Sequence, residues 1–393
     1  TMLWKTSMKS KFITLKLGVK KNKTDGLLIC LSESSTTELI FTLNKFAAAP
    51  VIISKQNIIK SNPKYIFINS GNANACTGKE GLTNTKRILN LLAKRLSCNS
   101  NEIIIMSTGI IGRQLPIDDI EESIIKNTFN KYSSLKDAAS SVMTTDNYPK
   151  YLSKEYKIGS KKIVFSGLCK GAGMIEPNMA TMLAFIETNV SINKRNLKKY
   201  LNYCANLSFN AISVDGDMST NDCVAFTSTN HVKVDLKNKN NEKKLLEHAA
   251  DFFIKLSSKI VKDGEGATKI IKLNIRNVKT KTLAQQISRK ISNSLLVKTA
   301  MYGEDPNWGR IIASLGSINE NTLNVVKVKL FINKILCFDN GTPTDAGSKR
   351  LARSMKKNNI EITLDLNSGK AMQTIYFSDL SHEYVHINSV YTT

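Results

Sequence analysis

The sequence predicts an α+β fold of packed layers, and three observations support it. Short apolar runs of strand type, such as Tyr65-Ile66-Phe67-Ile68-Asn69, are interspersed with segments whose apolar residues recur at helical spacing, such as Leu245, Leu246, Ala249, Phe253, Leu256 and Ile260. The two kinds mix without the strict strand–helix repeat of a doubly wound sheet. A length of 393 residues with 41% hydrophobic content suffices for roughly two to three domain-sized units, each with a core.

From the N-terminus, Ile13–Val19 and Gly26–Leu31 read as strands split by the polar turn Lys20–Asp25. Pro50-Val51-Ile52-Ile53 reads as the start of a further extended run. The strand at Tyr65 leads into a loop of small residues, Ser70–Gly78. Ile88, Leu91, Leu92 and Leu96 then mark a helix. Ile103–Met106 is a strand delivering Ser107-Thr108-Gly109. Ile120, Ile124, Ile125 and Phe129 mark the next helix, and Ile163-Val164-Phe165 a strand before a glycine-rich stretch. Met182–Val190 is a long apolar run interrupted by Glu187. Helices follow at Leu197–Leu207, Leu245–Ile260 and Leu283–Leu295, with Lys237–Lys244 read as a polar surface loop. The last third is strand-rich: Val326–Leu336, Ile360–Leu366 and Ala371–Phe377. Within it Val328, Leu330 and Ile332 alternate with Lys329, Phe331 and Asn333, as in a half-buried strand.

Composition excludes several classes. The seven cysteines are odd in number and contain no C-x-x-C, against a disulfide scaffold and for a reducing compartment. The four histidines form no H-E-x-x-H, so no metal is expected. Mean hydropathy is −0.19, no apolar run reaches about 18 residues, and the first residues lack a signal-peptide core. A cytoplasmic protein without a membrane partner is the expectation. The net charge is +24, but the basic residues are mostly lysines scattered along the whole chain. Bidentate readers of bases and phosphates would be richer in arginine, so a solvated basic surface without a nucleic-acid partner is expected.

The informative stretch is Lys170-Gly171-Ala172-Gly173-Met174-Ile175-Glu176-Pro177-Asn178-Met179-Ala180-Thr181-Met182-Leu183. It is not a phosphate loop: G-x-G-x-x-G fails at Glu176, and no Walker-type motif occurs. One reading is a flexible loop feeding a core strand. Another starts from a small residue, Ala180, before Thr181 at the head of an apolar run. Scission there would leave Thr181 with a free α-amine of pKa about 8, able to accept the proton of its own hydroxyl. Nucleophile and base would then reside in one residue, with no catalytic histidine needed.

Lys170–Leu183 resembles the cleavage-site motif of the bifunctional glutamate N-acetyltransferase / ornithine acetyltransferase family of arginine biosynthesis. Other stretches resemble that family in its own order. They are Asn69-Ser70-Gly71-Asn72-Ala73-Asn74-Ala75-Cys76-Thr77-Gly78, then Ser107-Thr108-Gly109-Ile110-Ile111-Gly112, then Met143-Thr144-Thr145-Asp146 with Pro149-Lys150. Val214-Asp215-Gly216-Asp217 with Ser219-Thr220-Asn221-Asp222, Asp263–Lys269, Asp305–Arg310 and the ending Tyr384–Thr393 complete the series. Ala211 and Met218 depart from the usual residues.

The resemblance implies a layered, sandwich-like α+β fold of the self-processing ornithine acetyltransferase type. It implies scission between Ala180 and Thr181 into an α chain of 1–180 and a β chain of 181–393, assembled as a heterotetramer of two α and two β chains. Thr181 would attack the acetyl group of N-acetyl-L-ornithine, release ornithine, and pass the acetyl to L-glutamate. Thr108 and Gly109 would supply the oxyanion donors. Thr144, Lys170, Thr181, Glu265, Asn388 and Thr393 would bind substrate. No cofactor is implied, although some members accept acetyl-CoA as donor. Lys170 suits a carboxylate and Glu265 an ammonium. The plainer readings are a strand-end turn for Thr108-Gly109, ordinary surface charge for Lys170 and Glu265, and structural pins for Asp215, Asp217, Trp308 and Arg310. A hydrolase of related self-processing type, an aminopeptidase or amidase, is the competing enzyme class, and a basic binding protein the non-enzymatic one.

Overall fold

The computed structural model describes residues 9–176, 182–319, 324–344 and 348–390. Two compact units emerge, one of 1–210, 217–260 and 392–393, the other of 211–216 and 261–391. The first contains β1 (Lys11–Leu15), β2 (Gly26–Cys30), β3 (Thr36–Phe41), α1 (Ala49–Lys60), β4 (Tyr65–Asn72), α2 (Gly78–Leu96), β5 (Ile103–Ile110), α3 (Ile117–Lys126), α4 (Leu135–Ser141), β6 (Lys150–Ile158), β7 (Lys161–Lys170), β8 (Leu183–Val190) and α5 (Lys194–Leu207). After β9 (Ile212–Ser213), which belongs to the second unit, come β10 (Cys223–Val232) and α6 (Lys239–Lys262). The second unit continues with β11 (Ile270–Val278), α7 (Lys281–Ser292), α8 (Leu295–Tyr302), α9 (Trp308–Gly316), β12 (Lys329–Ile332), β13 (Ile335–Asp339), β14 (Thr342–Pro343), α10 (Ser348–Met355), β15 (Asn359–Asp365), β16 (Ala371–Ser378) and α11 (His382–Val390).

In the first unit two sheets, β1-β2-β4-β5 and β3-β10-β8-β7-β6, pack face to face. Side-chain alternation sorts each strand between layers. Ile66 and Ile68 of β4 join Leu183 and Phe185 of β8 in the inter-sheet core, whereas Phe67 turns to the helical layer with Ile88 and Leu92 of α2. Behind the second sheet, Phe165 and Phe226 meet Phe252 and Phe253 of α6 at 5.6 and 5.3 Å between ring centroids. Helix, sheet, sheet and helix make four layers, as expected of a sandwich-like α+β fold.

The second unit is built on a seven-stranded sheet, β14-β13-β12-β15-β11-β16-β9. Its core joins Ile271, Leu273 and Ile275 of β11 to Leu283, Ile287 and Ile291 of α7. The predicted alternation over residues 328–333 holds, since Val328, Leu330 and Ile332 are buried.

Several expectations fail locally: Phe129 lies beyond α3, which ends at Lys126, and Leu295 opens α8 instead of ending α7, which stops at Ser292. Pro50 opens α1 rather than an extended run: its lost N–H falls at the helix start, where no intrahelical partner exists, and Val51 and Ile58 recur on the buried face. Lys239–Lys244 is the first turns of α6, polar because it is largely solvent-facing. Val326–Leu336 is two strands, reversed at Asn333 and Lys334, both in the left-handed region.

Among the described residues, no helix is long and apolar enough to cross a membrane, and no cluster of three His, Cys, Asp or Glu could hold a metal. All seven cysteines are free thiols.

Candidate active site

The site is assembled from the ends of strands. β4 and β5 run parallel, with Ser70 opposite Thr108 and Gly71 opposite Gly109. Gly109 has φ +131°, and a Cβ there would stand 2.2 Å from the Gly71 carbonyl carbon and 2.5 Å from the Asn72 nitrogen. Only glycine permits this approach.

The asparagine-rich loop serves as scaffolding. Asn69 Nδ2 donates to Asn72 O (2.8 Å), Asn72 Nδ2 to Gln114 O (3.0 Å), and Asn74 Nδ2 to Thr85 Oγ1 (2.8 Å). From the loop before β10, Asn221 Nδ2 donates to Ala73 O (2.6 Å) and Ser107 O (2.9 Å). Asn221 therefore clamps the carbonyl immediately before Thr108. Its motif is visible in the sequence, but its reach across 114 residues is not.

The next segment, 143–146, is anchored from two sides. Ser70 Oγ donates to Ser141 O (2.8 Å), and Lys20 Nζ donates to Met143 O (2.9 Å). Asp146 is buried and accepts four bonds or contacts. Thr144 N donates at 2.9 Å, Gly171 N at 2.8 Å and Lys150 Nζ at 2.6 Å, while Lys170 Nζ stands 3.8 Å away. Burial opposes ionisation, but the two ammoniums and these donors outweigh it and hold the carboxyl well below the usual range. Lys150 is itself fully buried, with its ammonium 5.2 Å from the Tyr148 ring centre. Asp146 and Lys150 lie in the motif of residues 143–150, whose residue types alone point to no role for either. Their four-residue spacing signals a pair on a helix, and this segment is not helical.

Lys170 closes β7, only 8% exposed, so it is not ordinary surface charge. Its Nζ donates to Thr144 Oγ1 (2.7 Å) and Thr108 Oγ1 (3.2 Å). The structure thereby brings Thr108, Thr144 and Lys170 together. Leu183, two residues after Thr181 in the chain, pairs with Lys170 across β7 and β8. Ala180 and Thr181 lie outside the described residues, as does Thr393. Cys169, next to Lys170, is no rival nucleophile, because burial pushes its thiol up to about 12.

Glu265 and Asn388 meet within the second unit. Glu265 is 6% exposed, and Asn388 Nδ2 donates to its Oε2 (2.8 Å) and to Tyr384 O (3.0 Å). Gly266, at φ +68°, lets the loop press on α11: a Cβ would stand 2.5 Å from Tyr384 N. Asp379 accepts Thr268 N (2.8 Å) and Lys269 N (3.0 Å) and fixes the far side of the loop. Tyr384 OH donates to Asp215 Oδ2 (3.3 Å), Arg310 Nη1 donates to Leu296 O (2.8 Å), and Trp308 packs on Phe338. These contacts are compatible with the structural-pin reading of Asp215, Trp308 and Arg310. The division at residue 180 expected from the resemblance does not coincide with the boundary between the compact units.

The sequence matches the ArgJ family over residues 11–393. It is 38% identical over 364 residues to the arginine biosynthesis bifunctional protein ArgJ of Lactococcus lactis, covering 90% of this chain and 89% of that protein. It is 39% identical over 392 residues to the glutamate N-acetyltransferase of Methanocaldococcus jannaschii, covering 96% of each. The crystal structure of ArgJ from Bacillus halodurans is similar over 54% of this chain and 100% of that one, with a TM-score of 0.51 at 30% identity. With a family match over nearly its whole length and relatives at this identity, the chain belongs to the ArgJ family, acyltransferases of arginine biosynthesis.

Proposed function

We propose that this chain moves the acetyl group of N2-acetyl-L-ornithine to L-glutamate in the cytoplasm, through an ester on Thr181 exposed by self-cleavage after Ala180. The observation that carries the reading is Lys170, a buried ammonium in hydrogen-bond reach of both Thr108 and Thr144 in a chain of this family. The name of the Methanocaldococcus relative, glutamate N-acetyltransferase, supports the same acceptor.

The freed α-amine of Thr181 takes the hydroxyl proton as the oxygen attacks the acetyl carbonyl. The carbonyl oxygen becomes an oxyanion facing the Thr108 hydroxyl and the Gly109 N–H, where each donor contributes about 2.7–4 kcal/mol. Collapse breaks the C–N bond, and the stored proton leaves with the ornithine amine. The glutamate amine then attacks the ester and returns Thr181 to its alcohol. Lys170, Glu265, Asn388 and Thr393 bind the substrates, Lys170 meeting a carboxylate and Glu265 an ammonium, and Thr144 contributes to binding through the Lys170 ammonium it holds. The fragments 1–180 and 181–393 remain together as two α and two β chains.

Acceptor starvation tests the reading. With N-acetylornithine alone, intact-mass analysis of the β fragment is expected to show one acetyl adduct on Thr181 and one equivalent of ornithine released. Addition of glutamate restores turnover. Thr181→Ala gives no adduct and a single uncut band on a denaturing gel. Continuous ornithine release without glutamate would identify a hydrolase and overturn the proposal. Acetyl-CoA plus glutamate measures the second donor, and native mass the tetramer.

A further inference from the structure

We propose that Lys170 completes the oxyanion hole through Thr108: its ammonium occupies the acceptor side of the Thr108 hydroxyl and commits that hydroxyl's proton to the developing oxyanion. This rests on the acyl-transfer reading above and goes beyond a carboxylate-binding role for the lysine. Lys170, Thr144 and Asp146 act here as positioning residues.

The argument begins with donor and acceptor capacity. An ammonium has three donors and no acceptor, so in the 3.2 Å contact Thr108 Oγ1 accepts. A threonine hydroxyl carries one proton and rotates freely unless its lone pairs are engaged. With Lys170 on one side, the proton points elsewhere, and the hydroxyl, polarised by a cation in a sheltered setting, becomes a stronger donor. A hydroxyl left to itself would have to reorient as negative charge develops. Preorganisation of this kind is what makes such donors effective.

Asp146 helps hold the ammonium in place by acting at both ends of its environment. Asp146 accepts the backbone N–H of Thr144, whose side chain receives Lys170 Nζ at 2.7 Å. It also accepts the N–H of Gly171, the peptide that directly follows Lys170. Its Oδ2 lies 3.8 Å from the ammonium, too far to draw it off the two hydroxyls. The Gly109 backbone, locked against Gly71, cannot adjust, so tuning of the hole falls to the hydroxyl donor.

A double-mutant cycle on the purified processed enzyme tests the link, with rates referred to the fraction carrying a free Thr181. Wild-type acetyl transfer is measured first; its absence would overturn the acyl-transfer reading and this proposal with it. Given transfer, Lys170→Gln and Thr108→Val are each expected to lower kcat about 100-fold, and the double variant to be no worse than about 3-fold below either single one. Thr144→Val removes only the 2.7 Å bond and leaves every charge in place. It is expected to lower kcat about 5-fold with little change in KM, and to do nothing further in the Thr108→Val background. If Lys170 serves only a substrate carboxylate, the losses multiply and Thr144→Val acts on KM. Either result overturns the proposal. Thermal melts establish that each variant is folded, and Thr144→Val keeps the test decisive should Lys170→Gln fail to fold.

Discussion

Two buried carboxylates in the first unit meet opposite fates. Asp146, in the loop before β6, has Lys150, Lys170 and two backbone N–H groups around it and stays ionised. Glu187, on β8 on the face shared by Leu183 and Phe185, is as deeply buried, yet burial pushes it up to about 7. The Ser10 N–H at 3.0 Å opposes this only in part. Burial alone therefore does not decide charge; the number and kind of partners do. One carboxylate organises a site, and the other is a titratable group in the sheet sandwich.

The largest expected effect breaks the first of these. Asp146→Asn removes the carboxylate 2.6 Å from the fully buried Lys150 ammonium, and chemical denaturation is expected to register a loss of about 3–5 kcal/mol. The second prediction concerns pH. Because the Glu187 carboxyl is raised in the folded state, its stabilising contribution is full below its ordinary value near 4.5 and disappears as pH rises through about 7. Glu187→Gln is isosteric with the protonated acid. It is expected to match wild type near pH 4.5 and to exceed it by up to about 3 kcal/mol above pH 8, read from paired melts. A uniform offset at every pH would contradict this assignment.

Glu265 is another buried carboxylate, and it accepts from the carboxamide of Asn388. Asn388→Ala is expected to raise KM about 10-fold with a smaller effect on kcat, measured in steady-state assays. The exposed pair of Glu122 and Lys126 is the control, and Glu122→Gln is expected to leave the melting temperature unchanged.

Much of this arrangement was legible beforehand, for identifiable reasons. The α2, α5 and α7 helices declare themselves because one face is buried, so apolar residues recur with the helical period. β4 and β5 are buried on both faces and read as unbroken apolar runs. β6 escaped notice because its outer positions are polar, and β10 because Thr227, Ser228 and Thr229 interrupt the run. At α1, the β-branched Val51-Ile52-Ile53 mimics a strand, and the position of Pro50 at the helix start settles the matter. The motifs located Thr108, Thr144, Lys170, Glu265 and Asn388. They were silent on who holds whom. The bonds from Asn221 to Ser107 and from Gly171 to Asp146 join residues far apart in the chain, and only tertiary folding creates them.

The complete enclosure of Lys150 has one more consequence. The chain carries a net charge of +24, and dissolved ions shield its exposed charges over about 8–10 Å. The pair formed by Lys150 and Asp146 lies out of reach of that shielding, with both side chains at 0% exposure. Ionic strength should therefore modulate how anionic metabolites approach the molecule while leaving the electrostatic frame of its chemistry untouched. A lineage could let its surface lysines multiply without retuning the centre.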